Sequence, residues 1–336
     1  MPSKLKLSLA CGDYEIVRAL KEGQVEPDGI DLTMLTGIDS TTRHWRFLRN
    51  QEFDVAELSC SSYLVARDQG MEIDAIPVYL HRRFRHGFCF INSSKGIREP
   101  KDLIGKKIGV KSFQVTAVLW MRGILEHEYG VPHKSIEWFA EYDEDVPFVP
   151  PPDLTLHRMR DDQSCEDMLV SGELDAVLHA DLIWPIVEKH PSVARLWPDY
   201  KTEELAYFRK TSIFPIMHVM GIKRSIVRDN PWAPIELYKA FDQAKALGME
   251  RMENPRVAPL VWYREAWEEQ EEVIGKDPWE FGLSERNRNT LDTMIGYSHD
   301  CGLIKQRFSV DDLFLDVGQG CKRCKSRARE NAAHMR

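Results

Sequence analysis

Three short apolar runs open this chain at a spacing that suits one kind of sheet. Leu5, Leu7 and Leu9 alternate with polar residues as a half-buried strand does, Ile30, Leu32 and Met34 repeat the pattern, and a third run covers 53–58. Gly12-Asp13 supplies a turn and a capping carboxylate before a short helix over 14–21. Ser59, Ser61 and Ser62 offer hydroxyls to cap a helix running to Arg67. Strands joined through helices do not pair as hairpins, so the order βαβαβ predicts a parallel sheet.

Two more strands, 75–79 and 88–91, bracket the run His81-Arg82-Arg83-Phe84-Arg85-His86 and place it on a connection. After Asn92 the pattern restarts with a strand ending at Val110, a helix from the turn at 112–116 to Tyr129, and a strand over 136–139. A loop holding Pro147, Pro150, Pro151 and Pro152 reads as surface ornament, and a helix over 162–171 and a strand over 174–178 follow. The segment 214–222 is a strand interrupted by His218, and from Pro231 onward the chain is mainly amphipathic helix. A strand that late must pair somewhere, which returns the chain to its first unit. The expected fold class is therefore α/β, two-lobed, with a ligand cleft between lobes joined by two crossings near Phe88 and Phe214. Residues 1–90 and 216–315 form lobe I, 91–215 form lobe II, and 316–336 are a basic tail expected to be disordered.

With 336 residues, 43% of them hydrophobic, the chain can bury one large core or two medium ones. A formal net charge of −8 argues against nucleic acid as a partner, since such binders carry a broad basic face. No run approaches the roughly 18 apolar residues of a membrane span, so no membrane partner is expected. Lys4, Lys6 and Leu7-Ser8-Leu9-Ala10-Cys11 superficially look like a lipoprotein export signal, but the apolar stretch is short and alternates. The seven cysteines, at 11, 60, 89, 165, 301, 321 and 324, lack the dense even framework of a secreted scaffold, which points to a reducing cytoplasm. Cys321-Lys-Arg-Cys324 has no second pair of the kind a zinc ribbon needs.

The run 81–86 sets three guanidiniums and two imidazoles around one ring in an acidic chain. Arginine forks hold carboxylates bidentately and histidines change protonation near neutral pH, so the run offers a grip and a proton source for an anion. The other reading is a solvated strand end with surface ion pairs. No G-x-G-x-x-G follows the first strand, and Walker A, H-E-x-x-H and G-x-S-x-G motifs do not occur. A metal held by His81 and His86 is disfavoured by the arginines between them, so no metal is assigned.

Several segments carry a resemblance. They are Leu9-Ala10-Cys11-Gly12-Asp13-Tyr14, Phe53-Asp54-Val55-Ala56-Glu57-Leu58-Ser59, Phe84-Arg85-His86, Arg98-Glu99-Pro100-Lys101-Asp102-Leu103-Ile104-Gly105-Lys106, Trp120-Met121-Arg122-Gly123-Ile124-Leu125, Phe214-Pro215-Ile216-Met217-His218 and Asp277-Pro278-Trp279-Glu280-Phe281-Gly282-Leu283. From about residue 5 to 315 the chain resembles the 4,5-dihydroxyphthalate decarboxylase family, built on the type 2 periplasmic-binding-protein fold. Gly87 and His179 depart from it, standing where small hydroxylated residues are expected.

The resemblance implies a carboxy-lyase acting without a cofactor on a small aromatic carboxylate. Each carboxylate of a 4,5-dihydroxyphthalate is para to a hydroxyl, so a phenolate pushes electron density onto the carbon that loses CO2. Such an enzyme must hold the retained carboxylate and protonate the ring carbon. Arg82 and Arg85 are candidates for the grip. His86 and His218, on the two predicted crossings, are expected to face one another as proton donors, with His179 as a third candidate. Tyr14, Ser59, Ser62, Gln114 and Thr116 sit at predicted strand-to-helix turns that favour carboxylate binding, with helix capping as their alternative use. Phe84 and Phe113 are candidates for an apolar wall. Two other functions share these features: an exported receptor for a small anion, and a biosynthetic decarboxylase of a related hydroxyaryl or tropolone acid. Trp262, Trp267 and Trp279 exceed what one lobe needs, which suggests a homo-oligomer; covering the sheet is their other use.

Overall fold

The computed structural model describes residues 3–318, so most of the basic tail, with Cys321 and Cys324, lies outside the described residues. One sheet contains β1 (Leu5–Ala10), β2 (Ile30–Leu35), β3 (Val55–Ser59), β4 (Ile73–Ile76) and β11 (His218–Lys223), in the order β2-β1-β3-β11-β4. The other contains β5 (Cys89–Asn92), β6 (Lys107–Val110), β7 (Glu137–Ala140), β8 (Leu156–Arg158), β9 (Ala176–Leu178) and β10 (Val193–Arg195), in the order β10-β5-β9-β6-β7-β8. Each sheet organises one lobe.

The parallel pairing expected from the helical connections holds for β1 with β2 and β3, and for β6 with β7 and β9. Neither sheet is wholly parallel. β11 runs antiparallel between β3 and β4, and β5 antiparallel between β9 and β10. Both are strands by which the chain enters a lobe from its neighbour, and each enters against the direction of the strands beside it.

The crossings are shorter as strands than the apolar runs suggested. β4 stops at Ile76, before Pro77, and β11 begins at His218, after Pro215; proline has no N–H to give to a ladder. Between these points the two crossing segments pair with each other. Arg82 and Ile216 form an antiparallel bridge, the Arg83 amide donates to the Pro215 carbonyl (3.1 Å), and the Met217 amide donates to the His81 carbonyl (2.9 Å). The segment around residues 81–86 is therefore one side of a two-stranded ribbon.

Three further differences bear on the cleft. The helix expected over 14–21 is a 3-10 turn, Glu15–Val17, followed by Arg18–Lys21. The helix Ser40–Asn50, whose buried face carries Arg43, His44, Phe47 and Leu48, brings two ionisable side chains toward the cleft. The segment leading into the Pro-rich loop is also more than ornament. Arg49 donates to the Glu144 and Asp145 carbonyls (2.6 and 3.1 Å), and Gln69 donates to the Pro147 carbonyl (2.6 Å), so this segment straps lobe II to two helices of lobe I.

The helix Thr116–Tyr129 is buried over its first ten residues and crosses Glu285–Asp300. Gly123 makes the close approach possible, because a Cβ there would overlap the Tyr297 ring. Gly123→Ala gains about 1 kcal/mol of helix propensity but costs roughly 1–3 kcal/mol of overpacking, and the overlap lies against a large buried ring. A lower denaturant midpoint is expected; an unchanged or raised one would show that Tyr297 moves freely. Of the three tryptophans singled out, Trp267 is buried, Trp279 packs on Phe214 (5.5 Å between centroids), and Trp262 is 71% exposed. Among the described residues no helix is long and apolar enough to cross a membrane.

Candidate active site

A cavity of about 490 Å³ lies between the lobes, and its lining brings together Tyr14, Ser59, His81, Arg85, Thr116, His179 and His218. Two of these, Tyr14 and His218, bond Glu57, a carboxylate in the middle of β3 with no solvent exposure. Four donors converge on it. Oε2 accepts from the Gly12 amide (2.8 Å) and Arg43 Nη2 (2.7 Å), while Oε1 takes the Tyr14 hydroxyl (2.9 Å) and His218 Nδ1 (2.6 Å). Burial alone would raise the Glu57 carboxyl, but His218, Arg43 and the Gly12 N–H together hold it well below the usual carboxylate range. The Tyr14 phenol moves the other way, raised by burial and by the Glu57 charge, and so stays protonated.

His218 is flanked edge-on by two more imidazoles, His44 at 4.9 Å and His81 at 4.8 Å between centroids. Burial, then the proximity of His218, pushes His44 well below its ordinary value and His81 down to about 2. Both stay neutral, and His44 Nε2 is buried without a hydrogen-bond partner.

Arg85 is 1% exposed and has no carboxylate within ion-pair distance among the described residues. Its Nη1 donates to the Ala180 carbonyl (2.7 Å) and its Nε contacts Met217 Sδ (3.1 Å). Burial, and then the neighbouring Arg83, lowers it to about 9. The more distant charges of Asp181 and Glu204 oppose that shift only in part, so an anion entering the cavity would add to the compensation of a buried cation.

The helix Thr116–Tyr129 adds a second positive pole, because Val115 at its N-cap provides no side-chain cap and Val115, Thr116 and Ala117 all line the cavity. Thr116 Oγ1 lies 2.9 Å from Ser59 Oγ and accepts from the Ser61 amide (3.1 Å). Ser59 in turn caps Cys60–Asp68, the helix-capping use expected of it, while it and Thr116 also line the cavity. Ser62 extends it, donating to Asp145 Oδ2 (2.9 Å), a carboxyl raised by burial. His179 also lines the cavity; burial lowers its pKa, Nδ1 is engaged by the Asp181 backbone, and Nε2 has no partner among the described residues.

Other expected residues lie elsewhere. His86 does not face His218. The 3-10 turn His86–Phe88 swings its ring into lobe II among Tyr129, Trp197 and Tyr207, where burial lowers it to about 4 and neither ring nitrogen has a partner among the described residues. Arg82 points out of the opposite side of the ribbon, donating to the Phe214 and Glu280 carbonyls and Asn287 Oδ1 and stacking over Tyr79. Gln114 is buried and bonds the Val146 backbone, which fastens the strap rather than lining the cavity. Phe84 packs on Phe208 and Phe214, and Phe113 on Trp138 and Phe148, so neither forms the wall expected. Gly87 is constrained by packing, since a Cβ would lie 2.8 Å from the Tyr200 ring.

The sequence reading assigned no role to Glu57, Arg43 or His44. Glu57 had a signal: a carboxylate inside the apolar run Val55-Ala56-Glu57-Leu58 cannot be buried unpaired.

The model of a family described as NMT1/THI5 like matches residues 15–138. Over 321 residues the chain is 32% identical to a 4,5-dihydroxyphthalate decarboxylase of Comamonas testosteroni, covering 93% of this chain and 97% of that one. A protein of the same name from Pseudomonas putida is 33% identical over 217 residues, 62% of this chain and 84% of that one. Among solved structures, the putative periplasmic sulfonate-binding protein SsuA from Methylobacillus flagellatus KT superposes with a TM-score of 0.57 at 12% identity, covering 97% and 96% of the two chains. That likeness identifies the two-lobed architecture as the fold of periplasmic binding proteins.

Proposed function

Since the chain belongs to the 4,5-dihydroxyphthalate decarboxylase family, we propose that it removes CO2 from a hydroxylated aromatic dicarboxylate such as 4,5-dihydroxyphthalate, without a cofactor, and releases the monoacid. One observation carries this reading: Arg85, a buried guanidinium that no carboxylate touches among the described residues, and His218, whose Nδ1 is held by Glu57 and whose Nε2 has no hydrogen bond among the described residues, line the same cavity. Arg85 takes the retained carboxylate. The N-terminus of Thr116–Tyr129 faces the second acidic group, and His179 Nε2 is available to the phenol. The phenolate drives electron density to the para carbon, His218 Nε2–H delivers a proton there, the bond to the carboxylate breaks with its electron pair returning to the ring, and CO2 departs.

The testing experiment is incubation of the purified protein with 4,5-dihydroxyphthalate, following CO2 and the dihydroxybenzoate product, with related hydroxyaryl and tropolone acids in parallel. Saturable binding of these acids with no CO2 from any of them would transfer the chain to the receptor reading.

A pH dependence follows from Glu204, which accepts from the Gly87 amide (3.2 Å) beside Arg85. Burial raises this carboxyl to about 7, against the opposing pull of the Gly87 amide and Arg85. Above that pH the ionised Glu204 partly offsets the Arg85 charge; below it the offset is lost. Affinity for the monoacid should therefore rise as pH falls from 8 to 6, and calorimetry should find that component missing in Glu204→Gln. An identical pH dependence in both proteins would remove Glu204 from the account.

A further inference from the structure

We propose that Glu57 is a positioning residue that fixes the tautomer of His218, holding a proton on Nδ1 so that Nε2 alone meets the substrate. The inference rests on the reading of His218 as proton donor and goes beyond it, since that reading leaves open what makes this imidazole, among four on one cavity, the acid.

The argument is one of hydrogen-bond capacity. An ionised carboxylate only accepts, and each oxygen has two lone pairs. On Oε2 both are occupied by obligate donors, the Gly12 amide and Arg43 Nη2. On Oε1 one is occupied by Tyr14, whose phenol can give a hydrogen and holds it tightly. The remaining site is 2.6 Å from His218 Nδ1, and an acceptor-only oxygen at that distance requires N–H there. Neutral His218 then has its lone pair on Nε2, and protonated His218 has its transferable hydrogen there. The titratable and charged groups around the ring are Glu57 and Tyr14 on its Nδ1 side, Arg43 behind the carboxylate, His44 and His81 on its flanks, and Asp145 and Arg85 elsewhere on the cavity wall. Among the described residues neither His44 nor His81 is hydrogen-bonded to a carboxylate, and His179 bonds only backbone. The Glu57 pairing therefore distinguishes His218 from every other imidazole on the cavity.

The same geometry explains why the carboxylate sits in mid-strand. β11 lies beside β3 in register, with His218 opposite Ser59 and Met220 opposite Glu57, so the pair spans two neighbouring strands with little freedom to separate.

Nitrogen-15 NMR of the histidine-labelled protein tests this directly, with the His218 signals among the eleven histidines identified by their loss in His218→Gln. At a pH where His218 is neutral, the proton is expected on Nδ1 and Nε2 should show the pyridine-type shift; the reverse tautomer overturns the proposal whatever the kinetics of the variants. Kinetics add an independent reading. Glu57→Gln should lower kcat by about 10²-fold or more with KM within about threefold, and should cost nothing further in a His218→Gln background. Equal losses in both backgrounds would make Glu57 a structural carboxylate only. If His218→Gln itself turned over at the parental rate, the proton-donor reading would fall while the tautomer result stood.

Discussion

Replacement of Arg85 by glutamine is expected to lower kcat/KM for a 4,5-dihydroxyphthalate by about 10²-fold or more, because truncating one partner of a shielded charge pair costs roughly 2–5 kcal/mol. The size follows from surroundings rather than from charge. Arg85 is almost wholly buried, its only oxygen acceptor among the described residues is the Ala180 carbonyl, and it lines the cavity. Its neighbours in the same cationic run should behave differently. Arg83 is exposed, with its guanidinium over the Phe88 ring, and Arg83→Gln should change kcat/KM by less than about threefold. Arg82 satisfies two carbonyls and the Asn287 side chain, so Arg82→Gln should reduce stability by about 1–3 kcal/mol and leave the kinetics of the folded fraction unchanged. Steady-state kinetics and denaturant titrations on the three variants separate these outcomes. Equal small kinetic effects from Arg85→Gln and Arg83→Gln would discard Arg85 as the carboxylate grip.

His218→Gln should reduce kcat by about 10²-fold or more, the usual contribution of a positioned acid, and change the pH profile of the chemical step. The fold should survive, because glutamine can still donate to Glu57 and β11 pairs through its backbone on both sides. KM should change little, since the carboxylate grip lies elsewhere. A folded variant with the parental rate and profile would make His218 structural. His179 would then be the candidate to test next, because it lines the cavity with a free Nε2, whereas His86 is enclosed by Tyr129, Trp197 and Tyr207.

Periodicity made the sheet strands and the return of a late strand to the first lobe legible, because both follow from burying alternate side chains. It did not reveal which way the entering strands run. Antiparallel β5 and β11 depend on where the chain comes from, and that is not written in the residues they bury. In the cationic run, composition suggests an anion site, but consecutive residues diverge: Arg85 and His81 reach the cavity, while Arg82 and His86 leave it in different directions. The ribbon and the 3-10 turn at His86–Phe88 set those directions, and both depend on pairing with residues more than a hundred positions away. His218 was found by its place in Phe-Pro-Ile-Met-His. Its partner Glu57 lies in the run 53–59, but only a register between β3 and β11 turns that carboxylate into the neighbour of an imidazole.

The paired crossings have a mechanical consequence. Two separate tethers would let the lobes twist and slide as well as swing, whereas strands bonded to each other through His81, Arg83, Pro215 and Met217 resist shear and leave bending as the soft mode. His81, Arg85 and His218 are mounted on that ribbon or at its end, and Thr116 and Asp145 on the lobe II side of the gap. A single hinge coordinate thus sets the width of the cleft and the spacing between its opposed groups together, so a ligand that spans the gap gauges its own length against the swing of the hinge.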